Sequence, residues 1–289
     1  MADLKGVCLA MQTPFDENGA IVYDRFIELI DMYLDAGVHG FVISSGTGQH
    51  PYLTEEECNK LLSLAVKQID GKASVIMQTS ALNKDEVIRR SIAAEGLGAE
   101  ALMILPPFFE GPKDDDGIFK FYEEINNNIN IDIIGYNIPA ATQIEVSVDL
   151  YKRLLTLENF NYIKDSSGDL CKTQALINAG GKVLNGADPI APYAFMAGAA
   201  GAIWGGANFM PKECVDLYNL IEKGDYKQAL ELWAKMFPSI NYLWQNDYIP
   251  AVKTACKFMG YDGGHVKAPL NEIPESQQKI LFETLSYLK

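Results

Sequence analysis

Residues 131–139 read Ile-Asp-Ile-Ile-Gly-Tyr-Asn-Ile-Pro, a short apolar, β-rich run that ends on Tyr136 and is broken by Pro139. Further along, Tyr162-Ile163-Lys164 is a second such run, ending on a lysine. A segment of helical periodicity separates the two, so together they make a strand–helix–strand unit. The same unit recurs in both directions. Comparable runs occupy 7–12, 40–44, 74–79, 101–105, 183–186 and 202–204, which brings the number to eight. Their spacing of roughly 20 to 35 residues leaves room for a strand, a loop, a helix and a return loop.

Helix signals fall between the runs. Thr54 with Glu57 forms a capping-box pattern, Asn83 with Glu86 resembles one, and Ser147 is placed to cap the helix after the fifth run. Gly37, Gly98 and Gly180-Gly181 stand where helices would end. After Pro211 the pattern is helical throughout, at 212–223, 225–244, 249–259 and 275–288. The expected fold is therefore α/β, a (β/α)8 TIM barrel with a C-terminal helical extension. Residues 1–210 would form the barrel core, and residues 211–289 a helical region completing and capping it. A doubly wound sheet would call for a Gly-rich phosphate loop after strand one, where this chain has Thr13-Pro14-Phe15.

The 289-residue chain, 48% hydrophobic and 21% charged, has the composition of an ordinary globular domain, which argues against disordered and fibrous classes. No apolar run approaches the roughly 18 residues needed to span a bilayer, and residues 1–5 lead into the first strand without a signal-peptide pattern. Cys8, Cys58, Cys171, Cys214 and Cys256 are odd in number and scattered, without zinc-site or disulfide spacing. A cytoplasmic location, no membrane partner and no metal are the expectations. The formal net charge of −14 opposes nucleic-acid binding.

In a barrel of this kind the reactive groups sit at the carboxyl ends of the strands. Three ends carry chemistry: Lys164 on strand six, Tyr136 on strand five, and Ser44-Ser45-Gly46-Thr47-Gly48 after strand two. A lysine continuing an inward-facing strand is costly to bury as an ammonium ion, and a neutral amine is the nucleophile that captures a carbonyl as a Schiff base. The competing readings are that Lys164 snorkels to water or pairs with Asp165. Tyr136 offers a phenol for proton transfer, or is an ordinary strand-end aromatic with a wet hydroxyl. The Gly46-Thr47-Gly48 loop can turn successive N–H groups toward a carboxylate.

Taken in order, these segments resemble the dihydrodipicolinate synthase and N-acetylneuraminate lyase family of class I pyruvate-dependent aldolases, over nearly the whole chain. The matching pieces are Thr13-Pro14-Phe15, the Gly46-Thr47-Gly48 loop, Tyr136-Asn137-Ile138-Pro139, Ile163-Lys164-Asp165-Ser166-Ser167-Gly168-Asp169, Gly186-Ala187-Asp188 and Ala207-Asn208. The resemblance implies Lys164 as the Schiff-base lysine and Tyr136 as the proton shuttle, with Thr47 beside it. Gly46 and Thr47 would hold the pyruvyl carboxylate, and Ser166, Gly186, Asp188 and Ile203 would be further substrate-binding positions. It also implies a small 2-oxo acid as substrate, no cofactor, and a homo-oligomer, either tetramer or dimer, with the segment of Phe108 and Phe109 at a subunit contact.

Departures from the family pattern narrow the reaction. Gly46 stands where the family carries a hydroxyl, and Pro107-Phe108-Phe109 where a relay tyrosine is usual. Ala141 occupies the place of the synthase's substrate-binding arginine, and Pro189 that of the glutamate with which neuraminate lyases hold the sugar. Losing a charge-assisted hydrogen bond in a buried site costs roughly 1.5 to 3 kcal/mol, enough to disfavour the synthase reaction. The expected activity is a Schiff-base lyase cleaving or condensing a 2-oxo-3-deoxy or 4-hydroxy-2-oxo acid. The alternatives are a Schiff-base dehydratase of a 2-oxo-3-deoxy sugar acid, dihydrodipicolinate synthase itself, and a non-catalytic 2-oxo-acid-binding protein. His50 could touch a substrate hydroxyl or be structural, Trp204 could line the pocket or be core, and His39, before strand two, reads as structural.

Overall fold

The computed structural model describes residues 3–112 and 114–288. Met1 and Ala2 of the N-terminal reading and the last residue of the 211–289 region lie outside these. Among the described residues eight parallel strands close into a barrel in chain order: β1 Gly6–Ala10, β2 Gly40–Ile43, β3 Ser74–Gln78, β4 Ala101–Ile104, β5 Asp132–Asn137, β6 Phe160–Asp165, β7 Lys182–Asn185 and β8 Gly201–Trp204. β8 pairs with β1 through Gly6 opposite Gly201 and Leu9 opposite Trp204.

The connecting helices are α1 Tyr23–Asp35, α2 Glu55–Ile69, α3 Lys84–Gly96, α4 Asp115–Asn126, α5 Pro139–Thr142, α6 Val148–Leu154, α7 Leu170–Asn178, α8 Ala191–Met196 and α9 Pro211–Glu222. The last of these packs on β1 and on α8, taking the place of the helix that follows β8 in the ring. Beyond it, α10 Tyr226–Gln245, α11 Tyr248–Met259 and α12 Glu275–Leu285 form the C-terminal part. Among the described residues no helix is long and apolar enough to cross a membrane.

The caps form as the sequence predicts. Glu57 N donates to Thr54 Oγ1 at 3.1 Å while Thr54 N donates to Glu57 Oε2 at 2.8 Å, closing the box. Asn83 Oδ1 accepts from Asp85 N at 2.9 Å and Glu86 N at 3.4 Å, and Ser147 Oγ from Leu150 N at 3.0 Å.

Strand periodicity decides which residues meet inside the barrel. Cys8, Ala10, Val42, Ile76, Met103, Ile134, Tyr136, Tyr162, Leu184 and Ile203 share one buried interior cluster, and Leu4 belongs to it too. Alternate residues such as Leu9, Ile43, Leu102, Ile163 and Trp204 pack in a second cluster with residues from the helices. Lys164 stands two positions beyond Tyr162, so the same alternation carries it inward. β1 stops at Ala10 although the apolar run continues to 12. The Gln12 amide donates instead to Asn208 Oδ1 at 2.9 Å, and Asn208 Nδ2 donates to Ala10 O at 2.9 Å.

Candidate active site

A cavity of about 750 Å³ opens at the carboxyl ends of the strands. Its walls include Gly46, Thr47, Tyr136, Lys164, Ser166, Gly186, Asp188 and Ile203, the eight positions singled out in the sequence. Lys164 is 6% exposed, and its Nζ lies 4.1 Å from the centre of the Tyr136 ring. Among the described residues it makes no ion pair. Its sequence neighbour points elsewhere: Asp165 Oδ1 accepts from Asn137 Nδ2 at 2.7 Å, and Oδ2 accepts from Ser167 Oγ at 2.8 Å and Thr173 Oγ1 at 3.2 Å. The pairing of Lys164 with Asp165 is thereby corrected, because successive strand residues face opposite sides of the sheet. These bonds tie the end of β5 to the end of β6 and fix Lys164 relative to Tyr136.

The β2–α2 loop turns through left-handed backbone at Ser44 (φ 53°) and Gln49 (φ 63°). Gly48 is required there, since a Cβ would stand 2.7 Å from Met11 O. Thr13 Oγ1 donates to Gly48 O at 2.8 Å, and Gly48 N donates to Ser45 Oγ at 3.2 Å. The amides of Gly46 and Thr47, by contrast, donate to no acceptor among the described residues. Two unspent N–H groups on a cavity wall suit a carboxylate.

On the far side of Lys164, Asp188 is 2% exposed, and its Oδ2 accepts from Tyr248 Oη at 2.6 Å and Gly206 N at 3.1 Å. Burial pushes its carboxyl up to about 6, against the opposing pull of Tyr248, the Gly206 amide and Lys164. Burial, with Asp188 adding to it, raises the Tyr248 phenol well above its ordinary value.

Sequence reasoning missed the contribution of the C-terminal helices: Trp244, Tyr248 and Ile249 line the cavity. Gly205 is the one faint signal, because a side chain there would collide with the Tyr248 ring. Glu145, Ser167 and Asp169 were also missed. Three residues weighed for the site lie elsewhere. His50 is buried with Nε2 on Ser80 O at 2.8 Å, outside the cavity wall. Trp204, on the outer face of β8, packs edge-on against Phe195 and at a tilt against Trp233. His39 Nδ1 accepts from Val7 N at 3.1 Å at the opposite end of the barrel. A hollow of about 810 Å³ at that end is lined by the exposed Asp3, Lys5, Asp31, Asp35 and Lys72. It lacks the buried reactive groups expected of a catalytic site, which the smaller cavity supplies.

A closed parallel barrel with a buried lysine, unpaired among the described residues, beside a phenol and two amides that donate to no acceptor among them, is the framework of a Schiff-base carbon–carbon lyase. The profile of the dihydrodipicolinate synthetase family matches residues 3–288, and the chain belongs to that family. It is 32% identical over 287 residues to 4-hydroxy-tetrahydrodipicolinate synthase of Methanocaldococcus jannaschii, covering 98% of each chain. The dihydrodipicolinate synthase structure from Aquifex aeolicus is 29% identical with a TM-score of 0.93, over 99% of this chain and 98% of that one. The chloride-inhibited, pyruvate-bound synthase of Acinetobacter baumannii is 27% identical with a TM-score of 0.93, over 98% of both. The protein is thus an aldolase-type lyase of the Schiff-base class.

Proposed function

We propose that the protein cleaves or condenses a 4-hydroxy-2-oxo or 2-oxo-3-deoxy acid, with pyruvate as one product or substrate, through a Schiff base on Lys164. The observation that carries this reading is the burial of Lys164, without an ion-pair partner among the described residues, in a cavity shared with the amides of Gly46 and Thr47, which donate to no acceptor among them. The amides hold the pyruvyl carboxylate while the lysine captures the neighbouring carbonyl. Tyr136 then moves the proton at the oxygen of the bond being made or broken, with Thr47 supplying a second hydroxyl nearby. Ser166, Gly186, Asp188 and Ile203 shape the remaining contacts.

Lys164 is the one cationic side chain on the described wall, whereas Glu145, Asp169 and Asp188 are acidic. Lys172 is bound in an ion pair with Glu145. A second carboxylate would therefore meet like charge, which favours an uncharged aldehyde as partner. The names of the relatives favour a second reading, dihydrodipicolinate synthase, against which Gly46, Phe109 and Ala141 stand. A panel of 2-oxo-3-deoxy and 4-hydroxy-2-oxo acids with pyruvate detection, run beside the synthase assay, separates them. Pyruvate release with negligible synthase rate is expected, and Ala141→Arg alone should not restore the latter. A synthase turnover number near 10 per second, typical of enzymes, would favour the second reading.

The family resemblance and the 69% exposure of Phe109 support self-association through the segment of Phe108 and Phe109. Phe109→Glu should shift the sedimentation coefficient toward the monomer.

A further inference from the structure

We propose that Tyr248 and Asp188 together move the proton at C3 of the pyruvyl adduct on Lys164, in place of the relay hydroxyls that Gly46 and Phe109 have removed. This rests on the Schiff-base reading above and adds a residue from the C-terminal helices to it.

The placement of the pair argues for a built device. Lys164 lies on β6 with Tyr136 on β5 to one side, while Asp188 and Gly205, after β7 and β8, lie to the other. Tyr248, at the first position of α11, sends its hydroxyl across to Asp188 at 2.6 Å. Gly205 leaves the space for the ring, and the Gly206 amide holds the same carboxylate oxygen. Both side chains line the cavity.

Schiff-base chemistry on pyruvate needs protons moved at two places: on oxygen when the aldol bond is made or broken, and on C3 when the enamine forms or collapses. In enamine formation a C3–H bond breaks and its electron pair forms the C2–C3 double bond. The electrons of the C2–N double bond withdraw onto the lysine nitrogen. The C3 proton passes to the Tyr248 oxygen as the Tyr248 proton passes to Asp188. The reverse transfer returns a proton to C3 before pyruvate leaves. A buried carboxylate paired to a phenol is suited to store that proton between the two events. The groups that face Asp188 are Tyr248 from α11, Lys164 from β6, the Trp204 indole and Gly206 amide from the end of β8, and Cys214 from α9, which feels its charge. The burial that raises its carboxyl to about 6 brings proton uptake within reach of neutral pH.

The test needs pyruvate alone. Exchange of its methyl protons in D2O, followed by NMR, reports C3 transfer, and borohydride trapping reports the Schiff base independently. Tyr248→Phe keeps the ring and should slow exchange roughly 10²- to 10⁴-fold, the usual contribution of a positioned acid or base. Its trapping yield should remain that of the wild type. Wild-type exchange should fall below about pH 6 as Asp188 takes up a proton, and Asp188→Asn should abolish that acid limb. In Tyr136→Phe, where the Schiff base itself forms more slowly, exchange should fall only in step with trapping. Tyr248→Phe exchange within about twofold of wild type would overturn the proposal, as would parallel loss of exchange and trapping, which marks a shaping role. A wild-type enzyme that traps no pyruvate would overturn the Schiff-base reading itself and the relay with it. Should Asp188→Asn fail to fold, Tyr248→Phe decides alone.

Discussion

A methyl group on Gly186 would stand 2.6 Å from Cε of Lys164 and would also collide with Ser166 Oγ. The glycine after β7 is therefore part of what lets the lysine lie across the cavity floor. Gly46 is the opposite case, since a Cβ there meets nothing within 4 Å. Gly186→Ala should displace Lys164 and lower kcat by roughly 10²-fold, the scale of an ångström misplacement, at a stability cost of roughly 1 to 3 kcal/mol. Gly46→Ser should leave stability within roughly 0.5 kcal/mol and raise kcat by supplying a hydroxyl beside Thr47. Steady-state kinetics and thermal melts on the two variants check the contrast. Equal damage from both would show that the two glycines do not differ as their surroundings say.

For the proton at the aldol oxygen, Tyr136→Phe should lower kcat by roughly 10²- to 10⁴-fold while borohydride labelling with pyruvate survives at a slower rate. Thr47→Val should lose part of the same rate. If the two hydroxyls share one path, the double variant loses less than the product of the single effects. An unchanged kcat in Tyr136→Phe would hand that proton to another group.

Asp188 should leave a mark on stability as well as on rate. Its carboxyl is raised from 3.8 to about 6 in the folded chain, so the folded state holds the proton more tightly than the unfolded one. Its contribution is then most favourable below the unfolded value near 3.8 and is lost as pH rises through about 6. Two pKa units correspond to roughly 3 kcal/mol, so Asp188→Asn should lower stability at pH 4 relative to stability at pH 7 by an amount of that order. Urea melts of both proteins at the two pH values measure the difference. A variant whose gap equals that of the wild type would place the Asp188 carboxyl near its ordinary value.

The barrel was legible because eight apolar runs with interleaved helical segments admit few other closures, and each strand end lay within a few residues of its run. Lys164 and Tyr136 were legible for the same reason: alternation along β5 and β6 sends both inward from positions where a strand end meets the cavity. Tyr248 was not. It follows β8 by 44 positions, reaches the site only through the docking of α11, and sits at a helix start where a tyrosine has no distinguishing local role. His50 was open to two readings, a substrate contact or a structural role. Its loop position suggested access to substrate, yet the Ser80 carbonyl draws the ring away from the cavity. Trp204 likewise ends a strand, but one register step from the inward-facing Ile203 sends it out to Phe195 and Trp233.

The central claim is that Lys164 captures the 2-oxo acid. Incubation with pyruvate and borohydride, followed by peptide mapping by mass spectrometry, tests it most directly, with Lys164→Ala as the control. The account predicts one reduced pyruvyl adduct on Lys164, and a Lys164→Ala protein that melts as a folded chain but neither labels nor turns over. An adduct on another lysine, or undiminished labelling of Lys164→Ala, would contradict it.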